Sequence, residues 1–142
     1  MRRGIIANIE SMNSKEEIVL PELSFDIVGA AFDVFNNLGW GLSERNYQNA
    51  LAEELAIRKI NFKREIYIPL SYGTSNIGRY FADFIVEDRA LLELKVVSKL
   101  GYVHAKQVLA YLCAAKLRLG ILVYFTKDGV KYRRVLNPDL RY

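Results

Sequence analysis

The stretch RYFADFIVEDRALLELKVV, residues 79–97, decides the predicted fold. It holds two apolar runs rich in Val, Ile, Leu and aromatic residues, separated by the polar residues 87–89, and this pattern predicts two strands joined by a hairpin. If the hairpin loop has three residues, Val86 faces Ala90 and the register of the whole pair is fixed. A loop of two residues would turn one strand over, because side chains alternate between the faces of a sheet.

Three charged residues interrupt these apolar runs: Asp83, Glu93 and Lys95. In the register of the three-residue loop, Asp83 lies opposite Glu93, and Lys95 points to the same face. Like charges in this position destabilise a sheet unless a cation lies between them, and Mg²⁺ takes one or two carboxylates together with water and phosphate oxygens. Lys95 could orient a water molecule or hold a phosphate oxygen. The alternative is a solvated stripe on an exposed sheet face, but continuously apolar runs favour a strand that is covered on both sides.

The composition is that of one globular domain. The chain has 142 residues, of which 51% are hydrophobic and 25% charged, and its net charge of +4 is a mild preference for polyanionic partners. Residues 1–20 lack sustained periodicity and are expected to form a flexible N-terminal arm, with residues 21–142 as a single domain. The chain starts with too short an apolar run for a signal peptide and holds no run of membrane-spanning length, so we expect a cytoplasmic location without membrane contact.

Two helices are predicted before the first strand. Apolar residues recur at helical spacing over residues 21–38, with Ser24 as a candidate N-cap and Gly39 as a C-terminal stop. A second helix is expected from about residue 44 to residue 59, with Ser43 as its N-cap.

Glu44 opens this second helix. It lies three residues before Tyr47 and seven before Leu51, so it shares the apolar face of the helix. The alternative is an ordinary first-turn carboxylate that the helix dipole favours.

Three further strands and a helix complete the pattern. Residues 62–70 alternate, and Pro69 indicates an edge position. Residues 119–126 are nearly all apolar, as in a central strand. Residues 130–136 follow a hairpin turn and carry several cations, including Arg134, which are typical of a guarded edge strand, although they could also touch nucleic acid.

The predicted helix over residues 99–116 contains two polar residues of interest. Gln107 interrupts an apolar stripe, and a buried amide would need a hydrogen-bonding partner. His104 has no histidine or cysteine cluster around it, and we interpret it as an ordinary polar residue.

The order of these elements, with D-x9-E-x-K across a hairpin, resembles the core of the PD-(D/E)XK nuclease superfamily. Residues 41–47 spell G-x-x-E-x-x-Y, as in the small GxxExxY proteins of that superfamily, and the next helix carries Q-x3-Y at Gln107 and Tyr111. The similarity runs over about residues 23–138. Ala82 stands where the superfamily name records a proline.

The resemblance implies an α/β fold with a restriction-endonuclease-like core, a mixed central β-sheet flanked by α-helices. It also implies a set of ligands for Mg²⁺ or Mn²⁺, through side chains or, at Leu94, through the main-chain carbonyl: Asp83, Glu93, Leu94 and Glu44. Lys95 would position the attacking water or stabilise charge on the phosphoryl group, and Gln107 would line the site.

We therefore expect a metal-dependent nuclease that acts on nucleic acid, more on DNA than on RNA, and that forms a homodimer to cut two strands. One alternative is a catalytically silent nucleic-acid-binding or adaptor domain with the same fold. Another is a hydrolase of smaller phosphoesters, which would lack the salt-sensitive binding that a polyphosphate backbone gives.

Overall fold

The computed structural model of the protein describes residues 19–99 and 101–140. Most of the predicted arm, residues 1–20, lies outside these ranges, and Val19 and Leu20 pack against the core. The described residues form three helices and five strands, named here in chain order. They are α1 (Pro21–Leu38), α2 (Glu44–Ile57), β1 (Phe62–Tyr72), β2 (Ser75–Val86), β3 (Ala90–Val96), α3 (Tyr102–Ala115), β4 (Leu119–Thr126) and β5 (Gly129–Leu136).

The strands form one mixed sheet in the order β1-β2-β3-β4-β5. Neighbouring strands are antiparallel except β3 and β4, which are parallel. Parallel strands need a crossover, and α3 supplies it. The predicted mixed sheet flanked by helices is confirmed. Pro69 lies on β1 at the edge of the sheet, and β4 is buried along its whole length, as predicted for each.

Helices cover both faces of the sheet. On one face α1 and α2 contribute residues such as Ile27 and Leu51, which cluster with Leu92 of β3. On the other face α3 packs Leu112 against residues that include Leu91 of β3. Consecutive residues of β3 therefore enter opposite cores, so β3 is covered on both sides.

The hairpin between β2 and β3 has the predicted register. Val86 pairs with Ala90 and Phe84 pairs with Leu92, which leaves residues 87–89 as a three-residue loop. This register brings Asp83 of β2 next to Glu93 of β3, just beyond the last pair of the ladder.

The start of α1 differs from the prediction. Ser24 is not the N-cap: the helix begins at Pro21, which needs no N–H partner in the first turn, after Leu20 in a left-handed conformation with φ 49°. Ser24 is buried inside the helix, and its hydroxyl accepts a hydrogen bond from Arg134 Nε at 3.2 Å. Arg134 also donates to the carbonyl of Val19 and is itself buried, so it ties β5 to α1 and does not guard an open edge.

In residues 19–99 and 101–140, none of the helices combines the length and the apolar character needed to cross a lipid bilayer.

Candidate active site

The site lies where β2 and β3 stop pairing. The ladder of paired residues ends at Phe84 and Leu92. Beyond that point the N–H of Asp83 donates to Glu93 Oε2 at 2.8 Å, and the N–H of Leu94 donates to Asp83 Oδ2 at 2.9 Å. Two carboxylates therefore accept N–H groups that a regular ladder would give to main-chain carbonyls. Asp83 and Glu93 are therefore in contact, although the ladder ends one pair before the position at which the predicted register sets them opposite each other.

Glu44 reaches the same edge of β3 from the start of α2. Its Oε1 accepts a hydrogen bond from the N–H of Val96 at 3.1 Å. Leu94 and Val96 are two residues apart, so their N–H groups point to the same edge of the strand. The carboxylates of Asp83 and Glu44 consequently lie side by side along β3, and Glu44 does more than begin a helix.

The residues of the G-x-x-E-x-x-Y motif form hydrogen bonds that position Glu44. Ser43 caps α2, because its Oγ accepts the N–H of the third helical residue at 3.1 Å, as predicted. The Tyr47 hydroxyl donates to the carbonyl of Gly39 and accepts from the N–H of Leu42 at 3.2 Å. Gly41 has φ 121°, a conformation that favours glycine. These contacts hold the loop that leads into α2 and so fix where the helix begins.

Two of the carboxyl groups at the site, those of Asp83 and Glu93, have raised pKa values. Burial raises the pKa of Asp83, against the opposing effects of the Leu94 N–H and the charge of Lys95. Burial and then the charge of Asp83 raise the pKa of Glu93 to about 7. Only 3% of Glu93 is exposed, so the alternative of a solvated stripe is wrong for this residue. A buried acid and a half-buried acid that repel each other are a natural place for a cation.

Lys95 is half-buried and points to the same side of β3 as Glu93. Its positive charge lowers the pKa of both Asp83 and Glu93, so its ammonium lies within electrostatic reach of each carboxylate. The structure therefore places the three charged residues near one another, and the catalytic role of Lys95 stays a prediction.

Two stacked tyrosines, which the sequence did not single out as a pair, lie near Glu93. The rings of Tyr80 on β2 and Tyr111 on α3 stack with centroids 3.3 Å apart and an interplanar angle of 11°. Tyr80 lowers the pKa of Glu93 against the larger effect of burial. Tyr111 belongs to the Q-x3-Y spacing, whereas no pattern in the sequence marked Tyr80.

His104 lies close enough to the site for its charged residues to affect its pKa, although the sequence indicated an ordinary polar residue. Burial and the charge of Lys95 lower its pKa, and the charge of Glu44 opposes them. The half-buried ring lies 5.9 Å from the ring of Tyr124, measured between centroids. Sequence reasoning missed this position, because a lone histidine carries no spacing signal.

Gln107 is exposed, so the prediction that its amide is buried is wrong. Among the α3 residues whose side chains the structure describes, the buried ones are Val108 and Leu112, one position further round the helix. Gln107 nevertheless lies three residues after His104 and four before Tyr111, and this spacing puts all three on one helical face. That face carries two residues whose pKa responds to the charges of the site. The lining role of Gln107 stays a prediction.

An open cleft of about 600 Å³ leads to these carboxylates. Gln48, one turn after Glu44 on α2, lines it and lowers the pKa of Asp83 through a side-chain hydrogen bond. Gln48 was not predicted. The side chains that line the cleft are Glu44, Arg45, Gln48, Arg64, Glu65, Phe81 and Asp83.

The donor set fits a hard divalent cation. Mg²⁺ binds oxygen ligands, usually one or two carboxylates, and completes its shell with water and phosphate oxygens. Asp83 and Glu93 offer such a pair, and the peptide of Leu94 lies beside them through its bond to Asp83. In the described part of the chain, no three His, Cys, Asp or Glu side chains stand in an arrangement that could by itself hold a metal ion.

Comparison with known proteins gives one family match. The family model of the PD-(D/E)XK nuclease superfamily matches residues 21–135. Among solved structures, SSO0001 is similar with a TM-score of 0.47 and 15% identity, over 87% of this chain and 80% of that one. The alkaline exonuclease LHK-Exo from Laribacter hongkongensis is similar with a TM-score of 0.48 and 14% identity, over 77% of each chain. A search of curated proteins found no significant match.

Proposed function

The chain belongs to the PD-(D/E)XK nuclease superfamily, and on that premise we propose that it is a metal-dependent nuclease that hydrolyses phosphodiester bonds, in DNA more than in RNA. Within the superfamily we assign it to the GxxExxY proteins, on residues 41–47. The observation that carries the proposal is the contact between Asp83 and Glu93 beside Glu44, where β2 and β3 stop pairing, with Asp83 and Glu44 lining an open cleft.

The proposed ligands of Mg²⁺ or Mn²⁺ are the side chains of Asp83, Glu93 and Glu44 and the main-chain carbonyl of Leu94. When bound, such a cation supplies a Lewis acid that activates water and offsets negative charge on the phosphate. The protein itself holds the carboxylates in place before a cation binds. Main-chain N–H groups of β2 and β3 bond one oxygen of each carboxylate, which fixes the three acids next to one another and leaves the second oxygen of each for a cation.

Lys95 has the second role in the proposal. It would orient the attacking water or stabilise the negative charge that builds on the phosphoryl group, since a preorganised positive charge is worth most in a site shielded from solvent. Gln107, exposed on α3, would line the substrate side of the site. Arg64 adds positive charge to the cleft beside Asp83, whereas the charge of Arg45 is paired with that of Glu65 at 2.6 Å.

A cleavage assay on labelled single-stranded DNA, duplex DNA and RNA tests the proposal, with Mg²⁺, with Mn²⁺ and with EDTA. We expect metal-dependent cleavage by the wild type and a loss of about 100-fold or more in Asp83→Asn, Glu93→Gln and Lys95→Met. The control is Asp88→Asn, because Asp88 is an exposed acid in the adjoining hairpin loop whose partner is Lys63 at 3.2 Å. Circular dichroism checks that each variant is folded.

Two results would contradict the proposal. Absence of cleavage together with absence of Mn²⁺ binding by calorimetry, even with an oligonucleotide present, would favour the silent adaptor domain. Cleavage of a small nucleotide diester without salt-sensitive binding to DNA would favour the small phosphoester hydrolase. A homodimer and a cytoplasmic location remain proposals, and sedimentation velocity with and without duplex DNA tests the first.

A further inference from the structure

The hairpin of β1 and β2 carries aromatic side chains that are open to solvent. Tyr67 is 46% exposed and Phe81 is 50% exposed. The two residues are directly paired across the strands, and their ring centroids lie 5.6 Å apart at an interplanar angle of 47°. Aromatic rings gain much from burial, so a pair left half in solvent is a candidate binding surface.

This aromatic pair is continuous with the catalytic cleft. Phe81 lines the same cleft as Asp83. The two residues are separated by one residue on β2, which corresponds to about 7 Å along a strand. A ligand that placed a phosphate at Asp83 would therefore have its neighbouring groups at the ring of Phe81.

Positive charge accompanies the rings. The guanidinium of Arg79 lies 6.0 Å from the centroid of the Phe81 ring. Arg64 lines the cleft, and its Cζ lies 5.4 Å from the Phe84 ring centroid. Its Nη2 donates to Asn49 Oδ1 at 3.0 Å, and its Nε is buried without a hydrogen-bond partner among the described residues. Aromatic faces next to cations along a groove are the arrangement that binds single-stranded nucleic acid, where rings stack on bases and cations follow the backbone.

We propose that Phe81, supported by Tyr67, stacks on an unpaired nucleobase next to the scissile phosphate, while Arg79 and Arg64 contact the flanking phosphates. This rests on the proposed nuclease function and names its substrate class. The strand that is cut is single-stranded, or unpaired where it enters the cleft. A base inside an intact duplex already stacks on both neighbours and would have to be extruded before a protein ring could reach it.

Fluorescence anisotropy in EDTA tests the proposal without cleavage. The probes are a labelled single-stranded oligonucleotide and the same strand with abasic sites in its centre. We expect Phe81→Ala to weaken binding of the base-bearing strand about tenfold, because stacking of one base is commonly worth that much. On the abasic strand Phe81→Ala and wild type should bind alike. The control is Phe25→Ala, which removes a phenylalanine that is 79% exposed on α1, and it should bind as wild type does.

A second readout follows stacking itself. A single strand with 2-aminopurine at its centre should lose fluorescence on binding to wild type and to Phe81→Trp, but not on binding to Phe81→Ala. Unchanged affinity of Phe81→Ala for the base-bearing strand would overturn the proposal, and so would an equal loss on both strands. If wild type sediments as a dimer and Phe81→Ala as a monomer of unchanged affinity, the rings form a contact between copies and the proposal is wrong.

These outcomes are separable from the failure of the proposed nuclease function. The binding experiments contain no metal and measure no cleavage, so stacking can fail while wild type still cleaves DNA. Conversely, a wild type that cleaves nothing could still bind the base-bearing strand more tightly than Phe81→Ala does.

Discussion

Replacing Glu93 by glutamine should stabilise the metal-free protein strongly at pH 8 and much less at pH 5. Burial and the charge of Asp83 raise the pKa of Glu93 from its ordinary value of 4.5 to about 7. Between these two values the folded protein holds a proton that the unfolded chain has released. The free energy of unfolding of the wild type therefore falls as the pH rises through this window, and the loss is complete above about pH 7.

The size of the effect follows from the distance between the two pKa values. At 1.36 kcal/mol for each pH unit, the gap between 4.5 and about 7 corresponds to about 3 kcal/mol. Glutamine resembles the protonated acid in shape and charge, and its amide oxygen can still accept the N–H of Asp83. Glu93→Gln should therefore be about 3 kcal/mol more stable than wild type at pH 8, and only about 1 kcal/mol more stable at pH 5.

Urea unfolding followed by circular dichroism, in EDTA at pH 5, 6, 7 and 8, measures this difference. The matched control is Glu53→Gln, because Glu53 is an exposed acid on α2 and its replacement should leave the pH dependence of wild type intact. A difference between wild type and Glu93→Gln that stays constant over this range would refute the reasoning. So would a Glu93→Gln variant that is less stable than wild type at pH 8.

Two further predictions concern stability elsewhere in the fold. Tyr47→Phe removes the hydroxyl that donates to the carbonyl of Gly39, and it should lower the free energy of unfolding by about 1 kcal/mol. A variant that is as stable as wild type in urea would contradict the idea that this hydrogen bond fixes the loop before α2. Gly120→Ala would put a Cβ 2.7 Å from Val108 Cγ1, so we expect overpacking between β4 and α3 to cost about 2 kcal/mol and to lower the melting temperature. An unchanged melting temperature would show that α3 can shift to accept the methyl group.

Local patterns were enough to predict the register of the central hairpin. The length of the loop after Val86 depends only on neighbouring residues, and once it is three, the pairing of Val86 with Ala90 follows. The same local reasoning identified Ser43 as a cap, since an N-cap and its helix are adjacent in sequence. Such contacts join residues that are close in sequence, so the local sequence is enough to predict them.

Features that depend on distant partners were not predictable in the same way. Ser24 has the chemistry of an N-cap, but its hydroxyl is used by Arg134, 110 residues further along the chain. Gln107 and Val108 are neighbours, and a rotation of the helix by one position decides which of them is buried. The sequence of α3 has apolar residues on most sides of the helix, so it does not fix that rotation. Tyr80 acquires its role only by stacking on Tyr111 of α3, which packs on the same face of the sheet.

The separation of β2 from β3 links the stability of the fold to the placement of its acids. Past Leu92 the N–H groups of Leu94 and Val96 have no partner strand, and an unpaired N–H that water cannot reach costs about 1–3 kcal/mol. Asp83 and Glu44 remove that cost by accepting those N–H groups, which keeps the carboxylates close enough to repel. Alanine at either position would therefore remove an acid and also leave a strand N–H unpaired. The amide variants keep an acceptor, so they separate the loss of chemistry from the loss of stability.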